Sequence, residues 1–225
     1  MDIDEAKQIC KKLTDINLAI WRSRGQEANA LREQFRAKYR SVLNAGFKIV
    51  RYREFGNPMF RPRVNRHVED VVTCSNRPDG FNIKNDCTTR CISLCTGVDY
   101  MTIRNEQLAN ARATHGVYTW KHDVVWQKSL MSRGFTKLVL RKHLSRATLI
   151  RLAKTSLAKN GVASPNGMIA TVSSGHIAAI DMDKLKIFDT WNSSGGRIKT
   201  IFVPDSLKQS YMHWLQSIGY PAYVD

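Results

Sequence analysis

The sequence predicts an α+β protein in which helices come first and an antiparallel sheet follows. Two observations carry this prediction. Apolar residues recur at three- and four-residue intervals before Gly161, which is typical of amphipathic helices. After Gly161 the period changes to two, which is typical of strands, and runs of helices followed by runs of strands indicate segregated halves. The four predicted strands are 168–174, 176–182, 185–191 and 197–203.

The N-terminal third of the chain predicts a separate helical extension. Helices are expected at 3–20 and 25–45, because apolar residues fall at helical spacing in both segments. The two helices are expected to form a hairpin. Residues 55–67 contain two prolines and favour a linker. The predicted division is therefore a helical hairpin extension with its linker at 1–70 and a second domain at 71–225.

The remaining elements of the second domain follow from capping residues and short apolar runs. Asp99 and Ser145 are residues of the type that begins helices, and each stands before a helical pattern. Predicted helices lie at 87–95, from Asp99 to Gly116, from Ser145 to Asn160, and from Asp205 or Ser206 onward; predicted short strands lie at 71–74 and 136–141.

The composition describes a basic chain with enough apolar residues for a sizeable core. Of 225 residues, 43% are hydrophobic, and the net charge is +16 from 35 basic and 19 acidic residues. Ten basic residues lie in 31–66 and another ten in 121–159. Such clusters predict contact with a nucleic acid or another polyanion, although a solvated surface is the alternative. No zinc-finger spacing, RNA-recognition motif or Gly-rich phosphate loop adds support.

Other features bear on the compartment. No run of apolar residues is long enough to predict a membrane span, and the polar, acidic start "MDIDEAKQIC" does not resemble a secretory signal. Five cysteines are an odd number and are too sparse for a disulfide scaffold, so we expect free thiols in a reducing compartment.

Three of these cysteines, Cys87, Cys91 and Cys95, recur every four residues. This spacing does not match a structural zinc site, and on a helix the first and last would lie about 12 Å apart. No metal site is therefore expected. Residues at this spacing share one helical face, and cysteine is among the most buried residue types, so Cys91 and Cys95 are predicted to lie in the core.

Cys87 has a different predicted environment. It follows Asn85 and Asp86, either of which is a suitable N-cap, so it is expected in the first turn of the helix. The helix dipole and the unpaired N–H groups of that turn stabilise a thiolate. Cys87 is therefore a candidate nucleophile, provided that the fold supplies a base.

His176 and Asp189 are the candidates for that base and its orienting partner. A turn centred on Met182 and Asp183 would place His176 directly opposite Asp189 on neighbouring strands. Opposed residues point to the same face with Cβ atoms about 5 Å apart, so this register predicts a His–carboxylate pair. In the alternative interpretation, Asp189 only starts a turn and His176 is a polar residue at a strand end.

Three sequence blocks carry a family resemblance. The chain order of a Cys at a helix start, a His at a strand start and an Asp on the next strand resembles papain-like cysteine peptidases. The blocks "NDCTTRCISLCTGVDYMTI", "TVSSGHIAAID" and "FDTWNSS" are more closely similar to a group of bacteriophage-type proteins, over about residues 80–205. The resemblance implies a papain-like layout in which the nucleophile helix packs on an antiparallel sheet. It also implies Cys87 as nucleophile, His176 as general base and Asp189 as orienter.

The sequence departs from the family at one position. Papain-like enzymes usually carry an oxyanion-stabilising Gln six residues before the cysteine, and Phe81 stands there in this chain. Asn82 or Asn85 is the candidate replacement, with the backbone N–H of Cys87 as the second donor. An inactive or chemically altered relative is the alternative.

The resulting expectation is a cofactor-free thiol hydrolase, a cysteine peptidase or isopeptidase that acts on a protein or peptide. The alternatives are a weak or inactive peptidase-like protein that binds nucleic acid or a host protein, and a phage virion or ejected protein. The expected location is the cytoplasm, that of the host if the protein is phage-encoded, or the virion.

Overall fold

The computed structural model describes residues 1–54, 57–64, 70–74, 76–78, 86–114 and 122–225. The chain divides into two compact units, Met1–Glu69 and Asp70–Asp225. Each unit has a hydrophobic core of its own. In the described part of the chain, no helix has both the length and the apolar character needed to cross a membrane.

The first unit begins with the two predicted helices, α1 (Ile3–Arg22) and α2 (Gly25–Asn44). Asp2 begins α1 with a capping box, in which its carboxylate accepts the backbone N–H of Glu5 at 2.8 Å and the Glu5 carboxylate accepts that of Asp2 at 3.0 Å. The two helices contact each other, and the prediction of both is confirmed to within two residues at each end.

A β-hairpin follows the helices, so the linker predicted at 55–67 is wrong over most of its length. The strands β1 (Phe47–Glu54) and β2 (Asn57–Val64) pair antiparallel. Phe47 joins the core of the first unit, and Phe60 packs against it. The two prolines of β2 are tolerated because a strand of a two-stranded ribbon has a free edge, where a missing N–H costs no ladder bond.

The second unit is built on a seven-stranded sheet in the order β3-β7-β6-β5-β8-β4-β9. Neighbouring strands are antiparallel except for β3 and β7, which are parallel. The α+β class is therefore confirmed. The elements are β3 (Val71–Thr73), α3 (Cys87–Thr96), α4 (Tyr100–Ala113), α5 (Asp123–Met131), β4 (Phe135–Ser145), α6 (Arg146–Asn160), β5 (Met168–Ser173), β6 (His176–Asp181), β7 (Lys186–Asp189), β8 (Arg197–Pro204), α7 (Lys208–Ser217) and β9 (Ala222–Val224).

Several element boundaries differ from the prediction. The strand predicted at 136–141 is longer in the structure, where β4 extends from Phe135 to Ser145. The last helix, α7, is preceded by a 3₁₀ turn at Asp205–Leu207. The helix from Asp99 ends at Ala113 with Thr114 as its C-cap, and residues 115 and 116, to which it was predicted to extend, lie outside the described residues. Neither α5 nor β9 was predicted, because both are too short for a clear period.

Helices cover both faces of this sheet. Ile177 and Ala179 of β6 contribute to a cluster with residues of α3, α4 and α5. Ala178 and Ile180, which point the other way, belong to a cluster with residues of α6 and α7. Burial on both faces explains why β6 is almost continuously apolar. Helix α3 consequently lies against the sheet beside β6.

Candidate active site

Helix α3 begins at Cys87, as predicted. Cys91, one turn later, is 2% exposed and lies in the core shared with the sheet, and the half-buried Cys95 packs against that core. The prediction that these two cysteines serve packing is confirmed. All five cysteines are free thiols. The described residues contain no group of three His, Cys, Asp or Glu side chains that would hold a metal ion.

Asp86 occupies the N-cap position of α3 but does not cap the helix with its side chain, which corrects that part of the prediction. Its buried carboxylate accepts hydrogen bonds from Arg77 at 2.5 and 2.6 Å, from Arg90 at 3.0 Å and from the Tyr100 hydroxyl at 2.8 Å. Burial alone would raise the pKa of Asp86, but these donors outweigh it and lower that pKa. Asp86 therefore anchors α3 as a buried anion.

This arrangement affects the start of the helix. Because the Asp86 carboxylate binds other partners, no hydrogen bond from that side chain covers the first-turn N–H groups of α3. Those groups and the helix dipole favour negative charge at the N-terminus, where Cys87 lies.

His176 begins β6, and its Nε2 lies 2.5 Å from Oδ2 of Asp189, the last residue of β7. The predicted register between these strands is wrong by two residues, because Ala179 pairs with Phe188. Asp189 is therefore diagonal to His176 and not directly opposite it. Because side chains alternate between the two faces of a sheet, a register shift of two residues leaves both side chains on the same face. Continuing this register places Trp191 opposite His176, and the two ring centroids lie 5.2 Å apart.

The register shift originates in the turn. Residues 182–185 form a four-residue turn, whereas the prediction centred the turn between Met182 and Asp183. Oδ1 of Asp181 accepts the N–H groups of Asp183 and Lys184 at 3.0 and 2.9 Å. Leu185 completes the turn with a φ of 53°, a conformation that few residues adopt.

The protonation preferences of Cys87 and His176 are coupled. Burial would raise the pKa of Cys87, but its hydrogen bond and attraction to His176, together with the positive charge of Arg90, lower that pKa. Burial would lower the pKa of His176, but its bonds to Asp189 and Cys87 raise it. Both shifts favour a thiolate beside an imidazolium.

Asp189 is held as a carboxylate by several contacts. Burial would raise the pKa of Asp189, but other effects outweigh it and lower that pKa, the largest of them being the hydrogen bond to His176. Oδ1 accepts the N–H of Thr190 at 2.8 Å and lies 3.7 Å from the Arg90 guanidinium. Arg90, itself 5% exposed, thus lies between Asp86 at the helix start and Asp189 beside the histidine.

Arg146, the first residue of α6, is a second buried cation near the site and was not predicted. It is fully buried, and its guanidinium donates to Thr171 Oγ1 at 2.8 Å and to the carbonyls of Thr171, Ser193 and His176 at 2.9, 3.2 and 3.4 Å. No carboxylate in the described part of the chain forms an ion pair with it. A Cβ on Gly196 would lie 2.1 Å from this guanidinium, so the loop needs glycine there.

Several predicted residues lie outside the described part of the chain, namely the oxyanion candidates Asn82 and Asn85, and also His67 and His115. His122 accepts the N–H of Val124 at 3.4 Å at the start of α5. His143 and His213 are exposed. Sequence reasoning also missed Arg77, Arg90, Tyr100 and Trp191; the spacing of Asp86 and Arg90, four residues apart around a helix start, is a signal that would have found that pair.

Comparisons with protein-family models, with curated proteins and with solved structures returned no match for this chain.

Proposed function

We propose that the protein is a thiol hydrolase, a cysteine peptidase or isopeptidase with Cys87 as nucleophile, His176 as general base and acid, and Asp189 as orienting group. The observation that carries the proposal is the contact of His176 with Asp189 at 2.5 Å, on a histidine that also lowers the pKa of Cys87. The packing of α3 beside β6 is consistent with the papain-like layout that the sequence motifs suggest.

The exposure of the three side chains fits these roles. Asp189 is 1% exposed and has no access to a substrate, as expected of a group that only orients the imidazole. The His176 side chain is 17% exposed, and Cys87 is half-buried. The two groups that would handle substrate atoms therefore reach solvent, while the orienting carboxylate does not.

The proposed reaction proceeds in two halves. The Cys87 thiolate attacks the carbonyl carbon, and the imidazolium of His176 gives its proton to the leaving amine as the C–N bond breaks. A water molecule then attacks the thioester; His176 takes its proton, the carboxylic acid leaves, and the thiolate is regenerated. Asp189 keeps the imidazole oriented throughout.

The negative oxygen of each tetrahedral intermediate requires hydrogen-bond donors. The backbone N–H of Cys87, in the first turn of α3, is one donor in this proposal, since the Asp86 side chain does not cap that turn. Asn82 or Asn85 is predicted to supply the second hydrogen-bond donor to this oxygen.

Digestion of a peptide library tests the proposal, with lysine-branched isopeptides included. Mass spectrometry should find new termini or released branches with the wild type and none with Cys87→Ala or His176→Ala. Cys95→Ala is the matched control, because it changes a half-buried cysteine on the same helix, and its products should equal those of the wild type. Equal product patterns from wild type and Cys87→Ala would refute the assignment.

A further inference from the structure

The two basic segments of the chain use their charges differently. In 121–159, four of the ten cations bind groups of the second unit itself. Arg133 pairs with Glu106, Lys137 with Asp225 and Lys154 with Asp70, and Arg146 is buried among oxygen acceptors. These four cations are therefore less available to a partner, whereas the other described cations of the segment remain exposed: Lys128, Arg141, Lys142, Arg151 and Lys159.

In the segment 31–66, five of the six basic side chains that the structure describes are exposed, and three of these five lie on α2. Arg32, Arg36 and Arg40 of α2 follow each other at four-residue intervals and are all exposed. Residues at this spacing lie along one side of a helix. We refer to these three residues as the α2 arginine row. The ion pairs found in the described part of the chain include none of the three, and Arg32 donates only to the neutral amide of Asn29 at 3.0 Å.

Packing fixes the orientation of α2. Ala28, Val42 and Leu43 are buried, and Phe35 packs against the core of the first unit. Ala28 lies one turn before Arg32, so the α2 arginine row borders the buried side of the helix, and all three of its side chains are exposed. The folded unit therefore presents the row to solvent.

The β-hairpin of the same unit adds to the positive charge. Arg51 on β1 and Arg61 on β2 have exposed side chains.

We propose that this surface of the first unit, centred on the α2 arginine row, binds the phosphate backbone of double-stranded nucleic acid. The row spans about 12 Å, and a duplex carries one negative charge per about 1.7 Å of its axis, so several phosphates fall within its reach. Arginine suits this partner because its planar guanidinium forms two parallel hydrogen bonds to a phosphate. The contact reads the backbone and not the base sequence. It does not depend on the proposed hydrolase chemistry.

Fluorescence anisotropy with a 20-base-pair duplex of arbitrary sequence, in salt from 50 to 200 mM, tests the proposal. Binding should weaken linearly on a log–log plot against salt and should persist in Cys87→Ala. The triple variant Arg32→Gln, Arg36→Gln, Arg40→Gln should reduce the slope by up to about 2.7, since each lost phosphate contact removes about 0.9. The Lys triple at the same positions should keep the slope of the wild type.

The matched control is Lys7→Gln, Lys11→Gln, Lys12→Gln. These residues are also exposed in the first unit, on α1, and the variant removes the same charge. It should leave the slope unchanged. Absence of binding at 50 mM salt, or equal loss in the two Gln triples, would overturn the proposal. Displacement of the duplex by polyglutamate at equal charge concentration would also overturn it, by assigning the surface to an acidic protein.

Discussion

The two units of this protein use arginine in opposite ways. The first unit exposes a row of arginines on α2, whereas the second buries Arg90 and Arg146 next to the proposed active site. A buried guanidinium needs an acceptor for every N–H, so it fixes the groups around it. An exposed guanidinium contributes little to stability and remains available to a ligand. Substitution should therefore affect folding and thiol chemistry in the second unit and only ligand binding in the first.

Arg146→Met should have the largest effect. The change leaves several buried oxygen acceptors without a donor, and we expect a loss of about 3 kcal/mol or more in the free energy of unfolding. Urea denaturation followed by tryptophan fluorescence measures it. Arg141→Met, on the exposed part of β4, is the control and should change stability by less than about 0.5 kcal/mol. Equal losses in the free energy of unfolding for Arg146→Met and Arg141→Met would contradict the contrast between buried and exposed arginines.

Arg90→Gln should have a smaller effect on stability and a distinct effect on chemistry. The variant removes the charge that lies between Asp86 and Asp189. Because a charged hydrogen bond is lost, the free energy of unfolding should fall by about 2 kcal/mol. Because Arg90 helps to lower the pKa of Cys87, the pH midpoint of Cys87 alkylation should rise. Arg90→Lys should restore part of that shift. An unchanged midpoint in Arg90→Gln would mean that Arg90 serves structure alone.

Acid should weaken the buried network of the second unit. The folded-state pKa of Asp86 and that of Asp189 are both lowered, so each group adds stability that is fully present above its unfolded pKa of about 3.9 and is lost as the pH falls through the folded pKa. The stability difference between wild type and Asp86→Asn should consequently shrink from pH 7 to pH 3 in urea denaturation. A difference that is constant over this range would contradict a charged Asp86.

The smallest effect is expected for the triple Gln variant of the α2 arginine row. These side chains are exposed and outside the ion pairs found in the described residues, so the free energy of unfolding should change by less than about 0.5 kcal/mol per substitution. Thermal denaturation by circular dichroism checks this. A large loss would mean that the row stabilises the unit, and the contrast with Arg146 would fail.

Features that follow from the periodicity of apolar residues could be predicted from the sequence, whereas contacts between residues far apart in the chain could not. The period of two placed His176 and Asp189 on one face correctly, yet their register was wrong because Asp181 and Leu185 build a longer turn. The first-turn position of Cys87 followed from local capping signals. Arg146 was not predictable in this way, since its acceptors lie on other elements of the fold. The hairpin β1–β2 was missed because its prolines are typical of linkers.

The central claim is that His176 activates Cys87, and the pH dependence of alkylation tests it most directly. Iodoacetamide labelling is followed by peptide mass spectrometry for each cysteine, in wild type and in His176→Ala. The account predicts that Cys87 reacts selectively at pH 6, with a midpoint below the ordinary thiol value of about 8.5, and that this reaction is lost in His176→Ala. Labelling of Cys87 that matches the other four cysteines, or that is unchanged in His176→Ala, would contradict it.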